Sequence, residues 1–163
     1  MNDRFKFKAV LKTSEFTILV EPYYILDDSY FIDINQAEAE FKNKYPEECF
    51  WDLIDEIEKQ DYVQEISSDS DLIITKDFTN LIQCTGLKDK NKRLIYEGDV
   101  INIWCKNLTK NQISEVKFCE ERAAFTFDYI TDFGNIVPCT MDKTEIEVIG
   151  NIYENKSLLE SEG

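Results

Sequence analysis

From Leu81 to Tyr153 the chain reads as short β-prone runs broken by turn residues, and this punctuation restricts the possible folds more than any other feature. Leu81 to Cys84 is a short apolar run ended by Thr85-Gly86. Lys88-Asp89-Lys90-Asn91-Lys92 suits an exposed, charged hairpin tip. Leu94-Ile95-Tyr96 leads into a tight corner at Glu97-Gly98-Asp99, where glycine tolerates positive φ and an aspartate can bind nearby backbone N–H groups. Val100 to Trp104 alternates, with Val100, Asn102 and Trp104 on one face and Ile101, Ile103 and Cys105 on the other. Ile113 to Phe118 and Ala123 to Tyr129 follow, joined by Cys119-Glu120-Glu121-Arg122. Gly134-Asn135 marks another turn, and Glu145 to Tyr153 a last strand interrupted by Gly150. Short strands at this spacing predict a small, partly open β-barrel or sandwich over residues 81–159. Lys156 to Gly163 reads as a frayed tail, with 160–163 outside the module.

The first half, residues 1–80, has a different texture. Phe5, Phe7 and Ala9 alternate with Lys6 and Lys8, the period of a half-buried strand. Phe16 to Val20, Tyr23 to Leu26 and Tyr30 to Ile34 are further β-prone runs, the last two divided by the turn Asp27-Asp28-Ser29. Gln36 to Lys44 lacks β-branched residues and is rich in Ala, Glu and Lys, which predicts helix. Pro46 is placed to open a second helix with Glu47 and Glu48 in its first turn. Phe50, Leu53, Ile54 and Ile57 then share one face at i, i+3, i+4 and i+7, with Trp51 on the shoulder. Tyr62 to Ile66 and Leu72 to Thr75 read as strands around an acidic loop. The fold expected is mainly β (α+β overall), with an acidic helical insertion at about residues 35–60 and one or two N-terminal strands paired with the second module.

The net charge is −15, and it is concentrated. Between Glu21 and Asp71 there are 16 acidic residues against Lys42, Lys44 and Lys59, a local balance of −13. Residues 81–163 carry 14 acidic and 10 basic side chains, a balance of −4. Phosphate backbones and anionic membranes need cations to hold them, so this surface disfavours both. It suits a basic protein surface, or it serves only to keep the chain soluble. The face singled out for a partner is Glu47, Glu48, Asp52, Asp55, Glu56 and Glu58.

Sites for chemistry are sparse. The chain has no His, which removes the usual general base, and five Cys with no C-x-x-C pair. No zinc site, and no other metal or cofactor, is expected. Asp69 to Asn80 fails as a calcium loop, because Ile74 stands where glycine is needed and Asn80 where glutamate is needed. Carboxylate pairs such as Glu97 with Asp99, or Asp128 with Asp132, arise readily in so acidic a chain. The N-terminus has no apolar leader and no run could span a bilayer, which predicts a cytoplasmic protein with reduced thiols. No catalytic residue is assigned.

Two blocks carry a resemblance. Gln83-Cys84-Thr85-Gly86-Leu87-Lys88-Asp89-Lys90-Asn91-Lys92 leading into Ile95-Tyr96-Glu97-Gly98-Asp99-Val100 resembles the signature of the YopX family. Glu147 to Asn155 resembles that family's closing motif, and Phe5 to Val10 is similar, more weakly, to its opening. Lys92 stands where the family has a hairpin glycine, and Val10 where it has tryptophan. The motif positions in this chain are Thr85, Gly86, Leu87, Asp89, Tyr96, Glu97, Gly98, Asp99, Gly150, Asn151 and Tyr153. Turn chemistry accounts for nearly all of them, so they read as a folding signature. The resemblance implies a β-rich protein of phages and prophages with unassigned activity. The expected function is that of an accessory protein in the bacterial host cytoplasm, not an enzyme, binding a basic host protein through the acidic face. Three alternatives stand beside it: an inhibitor of a host nuclease or defence complex by nucleic-acid mimicry, a weak nucleic-acid-binding barrel using the basic tip, and a homo-oligomeric module.

Overall fold

In the computed structural model the residues described are 6–22, 24–26, 29–59, 63–67, 71–75, 81–104, 111–130, 136–140 and 145–159. The turns expected at Asp27-Asp28 and Gly134-Asn135, and Cys105, lie outside them. The fold is mainly β with two α-helices, and the chain divides into two compact units, Lys6–Ile82 and Gln83–Gly163.

In the first unit, β1 (Phe7–Lys12) and β2 (Thr17–Val20) form an antiparallel hairpin with Ala9 opposite Val20 and Lys12 opposite Thr17. Its turn is held by Thr13, whose hydroxyl accepts from the N–H of Phe16 at 3.0 Å. A four-stranded sheet runs in the order β3 (Tyr24–Leu26), β4 (Ser29–Asp33), β6 (Asp71–Thr75), β5 (Val63–Ser67). Asp33 ends β4 and caps α1 (Ile34–Lys44), its Oδ1 accepting from Asn35 N at 2.8 Å and Gln36 N at 3.3 Å. The helix therefore starts two residues before Gln36, where the loss of β-branched residues had placed it.

The second helix, α2, spans Phe50–Glu58. Pro46 does not open it. Residues 46–48 form a turn, and Glu47 and Glu48 precede the helix instead of occupying its first turn. Glu48 N–H donates to the Tyr45 carbonyl at 3.2 Å, and Lys42 Nζ reaches the Glu48 carbonyl at 2.6 Å, so those backbone groups are already engaged. Phe50, Leu53, Ile54 and Ile57 are all buried, as the spacing predicts, and join Leu11, Ile18, Val20, Ile32 and Phe41 in one core. Phe41 makes edge contacts with Phe16 and Phe50. Each such side chain contributes about 1.5–3 kcal/mol by burial, which is what holds so short a helix.

The second unit contains most of β7 (Leu81–Lys88), from Gln83 on, with β8 (Leu94–Tyr96) and a five-stranded antiparallel sheet. The sheet's order is β12 (Ile136–Thr140), β11 (Ala124–Ile130), β10 (Gln112–Cys119), β9 (Asp99–Trp104), β13 (Glu145–Asn151). Its core is Ile95, Ile101, Ile103, Val116, Phe127, Ile146 and Val148. The strand β10 changes partner along its length. Gln112–Glu115 pair with β9, whereas Val116–Cys119 pair with β11. Where β10 leaves β11, side chains replace the backbone ladder: Asp128 N donates to Ser114 Oγ at 3.0 Å, and the Gln112 amide takes both the N–H and the carbonyl of Ile130.

Three expectations need correction here. The strand beginning at Leu81 does not stop at Thr85-Gly86. It continues to Lys88 because Gly86, at φ +79°, absorbs a register shift between Cys84 and Lys88. Ile136–Thr140 is a strand that the sequence reading did not assign. The segment from Lys156 is not frayed as far as Leu158, since 156–158 form a 3₁₀ turn and Leu158 lies over Gly150.

Candidate functional site

The acidic face is built by the turn and helix that follow α1. Because α2 commits Phe50, Leu53, Ile54 and Ile57 to the core, its opposite side must face water, and that side carries the carboxylates. Glu47, Glu48, Asp52 and Asp55 are exposed, and Glu56 is half-buried. Trp51 stands among them with half its surface exposed (50%), steadied by an edge contact with Phe50 at 5.8 Å. Asp55 follows Trp51 by four residues, so the two share a face. One carboxylate oxygen of Glu56, Oε2, is buried and has no hydrogen-bond partner among the described residues. Glu58 closes the helix, and its side chain lies outside those described. An exposed indole bordered by carboxylates is chemically suited to a cationic protein surface, which satisfies the acids and stacks on the ring.

The motif residues converge in the second unit, and their work is hydrogen bonding. Asp89 is not part of an exposed tip, as the run of charges had implied. It is buried (7% exposed) and its carboxylate collects three backbone N–H groups: Asn91 at 2.8 Å and Arg93 at 2.8 Å on Oδ1, and Val148 at 3.1 Å on Oδ2. Lys90 N–H donates to the Ile146 carbonyl at 2.9 Å. The hairpin tip thus occupies the outer edge of β13, which lies at the end of its sheet, and uses backbone groups that an incoming strand would otherwise pair with. Thr85 Oγ1 donates to the Ile95 carbonyl at 2.9 Å and accepts from Leu87 N at 3.1 Å, spanning the irregular stretch of β7. Leu87 itself is exposed.

At the next corner, buried Asp99 accepts from Tyr96 N at 2.8 Å. Gly98, at φ +77°, donates to the Val116 carbonyl and accepts from Ile152 N. A Cβ at Gly98 would sit 2.7 Å from the Tyr153 ring, and one at Gly150 would sit 2.5 Å from Leu158, so both glycines leave room for close packing. Asn151, 3% exposed, accepts from Tyr153 N and Glu154 N and donates to Glu154 Oε2, closing the last turn. Burial pushes the Tyr153 phenol up to about 12, with Glu97, Glu115 and Asp99 adding in the same direction. Lys92 adopts φ +67° at the hairpin tip, a conformation that favours glycine.

The basic tip offers less positive charge than its sequence suggests. Lys90 Nζ lies 2.7 Å from Glu147, whose other oxygen accepts from Asn91. That contact holds the Lys90 ammonium above its ordinary pKa and the Glu147 carboxyl below its own. Cys84 is buried, Cys119 half-buried and Cys49 exposed, all as free thiols. Among the described residues no group of three or more Cys, Asp or Glu is arranged to hold a metal, and no helix is long and apolar enough to cross a membrane.

The YopX protein family profile matches residues 28–160. The crystal structure of protein EF1440 from Enterococcus faecalis is similar to this chain at 22% identity and a TM-score of 0.47, covering 94% of this chain and 96% of that one. No curated protein matches.

Proposed function

The chain belongs to the YopX family, and from that premise we propose that it is a phage or prophage accessory protein that works by binding a basic protein through the exposed side of α2. The observation that carries this reading is the exposed Trp51, with Asp52 and Asp55, on a helix whose other side is locked into the core, and with exposed Glu48 in the turn before it. A solvated face kept only for solubility gains nothing from a half-exposed tryptophan, whereas binding surfaces are enriched in that residue. In its sharpest form the partner is itself a nucleic-acid-binding protein, with the carboxylates taking the place of phosphates.

The test is capture of proteins from a Gram-positive bacterial lysate on the tagged chain, beside the folded variant E48K/D52K/D55K. A basic protein should be retained by the wild type, released by high salt and lost from the variant. An oligonucleotide should compete for it if the mimicry form is right. Retention of the same proteins by a variant with unchanged circular dichroism would reduce the acidic face to a solubility feature.

A further inference from the structure

A second surface, in the unit that carries the motif, has the makings of a recognition site. Asn102 and Trp104 alternate on β9 and so project from the same face of the sheet, away from the buried Ile101 and Ile103. The register of β13 sets Glu147 opposite Asn102 and Glu145 opposite Trp104. With Lys90 from the hairpin tip and Asn111 ahead of β10, these residues line a groove of about 230 Å³, room for one long side chain.

Its chemistry is unbalanced toward acceptors. Lys90 and Glu147 satisfy each other. Glu145, exposed and also near enough to Lys90 to act on its charge, makes the groove's described charges one negative in balance. Asn102 Oδ1 is buried and accepts no hydrogen bond among the described residues, an uncommon condition for a polar atom inside a protein. Trp104, 44% exposed, presents an indole to the same space. Trp104 is 44% exposed and the Lys90 side chain 47%, so both borders of the groove stand partly in solvent.

From these observations we infer that the groove receives an arginine side chain of a partner protein. A guanidinium is planar, donates without accepting, stacks on an indole face and is attracted by a carboxylate. It can supply the donor that Asn102 Oδ1 lacks while its charge faces Glu145. A neutral or anionic side chain meets fewer of these conditions, and the acidic chain as a whole favours a basic partner. This site lies on other residues than α2 and does not depend on the reading given above.

The experiment uses the full chain with Trp51→Phe, so that fluorescence reports Trp104 alone. It is titrated with the peptides acetyl-Gly-Arg-Gly-amide, its citrulline counterpart and its lysine counterpart, and with free arginine. The arginine peptide should give a saturable change in Trp104 emission. The citrulline peptide, equal in shape but uncharged, should bind about tenfold more weakly or worse. Glu145→Gln, an exposed substitution that leaves the core untouched, should weaken the arginine peptide, as should Asn102→Ala. The proposal is overturned by no saturable change, by equal response to the arginine and citrulline peptides, by indifference to both substitutions, or by free arginine binding more tightly than the peptide.

Discussion

Replacing Asp89 tests the tip-to-edge staple directly. Its buried carboxylate holds three N–H groups at 2.8, 2.8 and 3.1 Å, one of them from β13, 59 residues along the chain. A hydrogen bond to a charged group contributes about 1.5–3 kcal/mol net, and three sharing one carboxylate add to less than their sum, so Asp89→Ala should cost about 3–5 kcal/mol. Asp89→Asn is the sharper variant. Asparagine keeps one carbonyl oxygen for Asn91 and Arg93 but turns an NH₂ toward Val148 N–H, donor against donor, at a cost of about 1.5–3 kcal/mol. The assay is guanidinium unfolding of each variant in a Trp51→Phe background, with Trp104 reporting the unit that contains the staple. Given a total stability of about 5–15 kcal/mol, the alanine variant should leave this unit marginal. An asparagine variant within about 0.5 kcal/mol of wild type would refute the assignment of Val148 N–H to the carboxylate.

Other substitutions probe the remaining corners. Gly98→Ala combines φ +77° with a Cβ 2.7 Å from the Tyr153 ring. It should cost about 2 kcal/mol or more by thermal unfolding, and Tyr153→Ala in the same background should relieve the crowding but not the backbone strain. Lys92→Gly should raise stability by about 0.5–1 kcal/mol in guanidinium unfolding, because Lys92 holds φ +67° where glycine is unstrained. Tyr153 stays protonated in the folded chain up to about 12 while the unfolded phenol ionises near 10. Its contribution is therefore fully present below pH 10 and lost as pH rises toward 12, so Tyr153→Phe should flatten the alkaline fall in stability measured across that window.

The parts of the fold that could be read from the sequence were those governed by one local rule. The buried face of α2 followed from i, i+3, i+4, i+7 spacing, and all four residues are in the core. The alternation at Val100–Trp104 separated Ile101 and Ile103 from Asn102 and Trp104, though not which face is buried, and glycine at 98 marked the corner. What escaped depended on distant partners. Asp89 reads as one more surface charge in Lys88–Lys92, and only the arrival of Val148 makes it a buried acceptor. The Asp-Lys-Asn order, in which an aspartate can take the N–H two residues on, was the available local signal. Where β10 changes partner, Gln112 and Ser114 side chains act as ladder rungs to β11, which no periodicity encodes. The start of α2 was misplaced because Pro46 and two glutamates suit a helix N-terminus, whereas Lys42 and Tyr45 hold that stretch as a turn. That Glu147 and Glu145 lie opposite Asn102 and Trp104 emerges only from the register of β9 with β13.

The claim that the acidic side of α2 is where a partner docks can be tested by hydrogen exchange on the chain alone and in complex with the basic protein it captures. Slowed exchange in amides between Glu47 and Glu58, with the core strands of the second unit unchanged, is the expected footprint. A complex that leaves that helix exchanging as fast as in the free chain, while protection appears elsewhere, would contradict it.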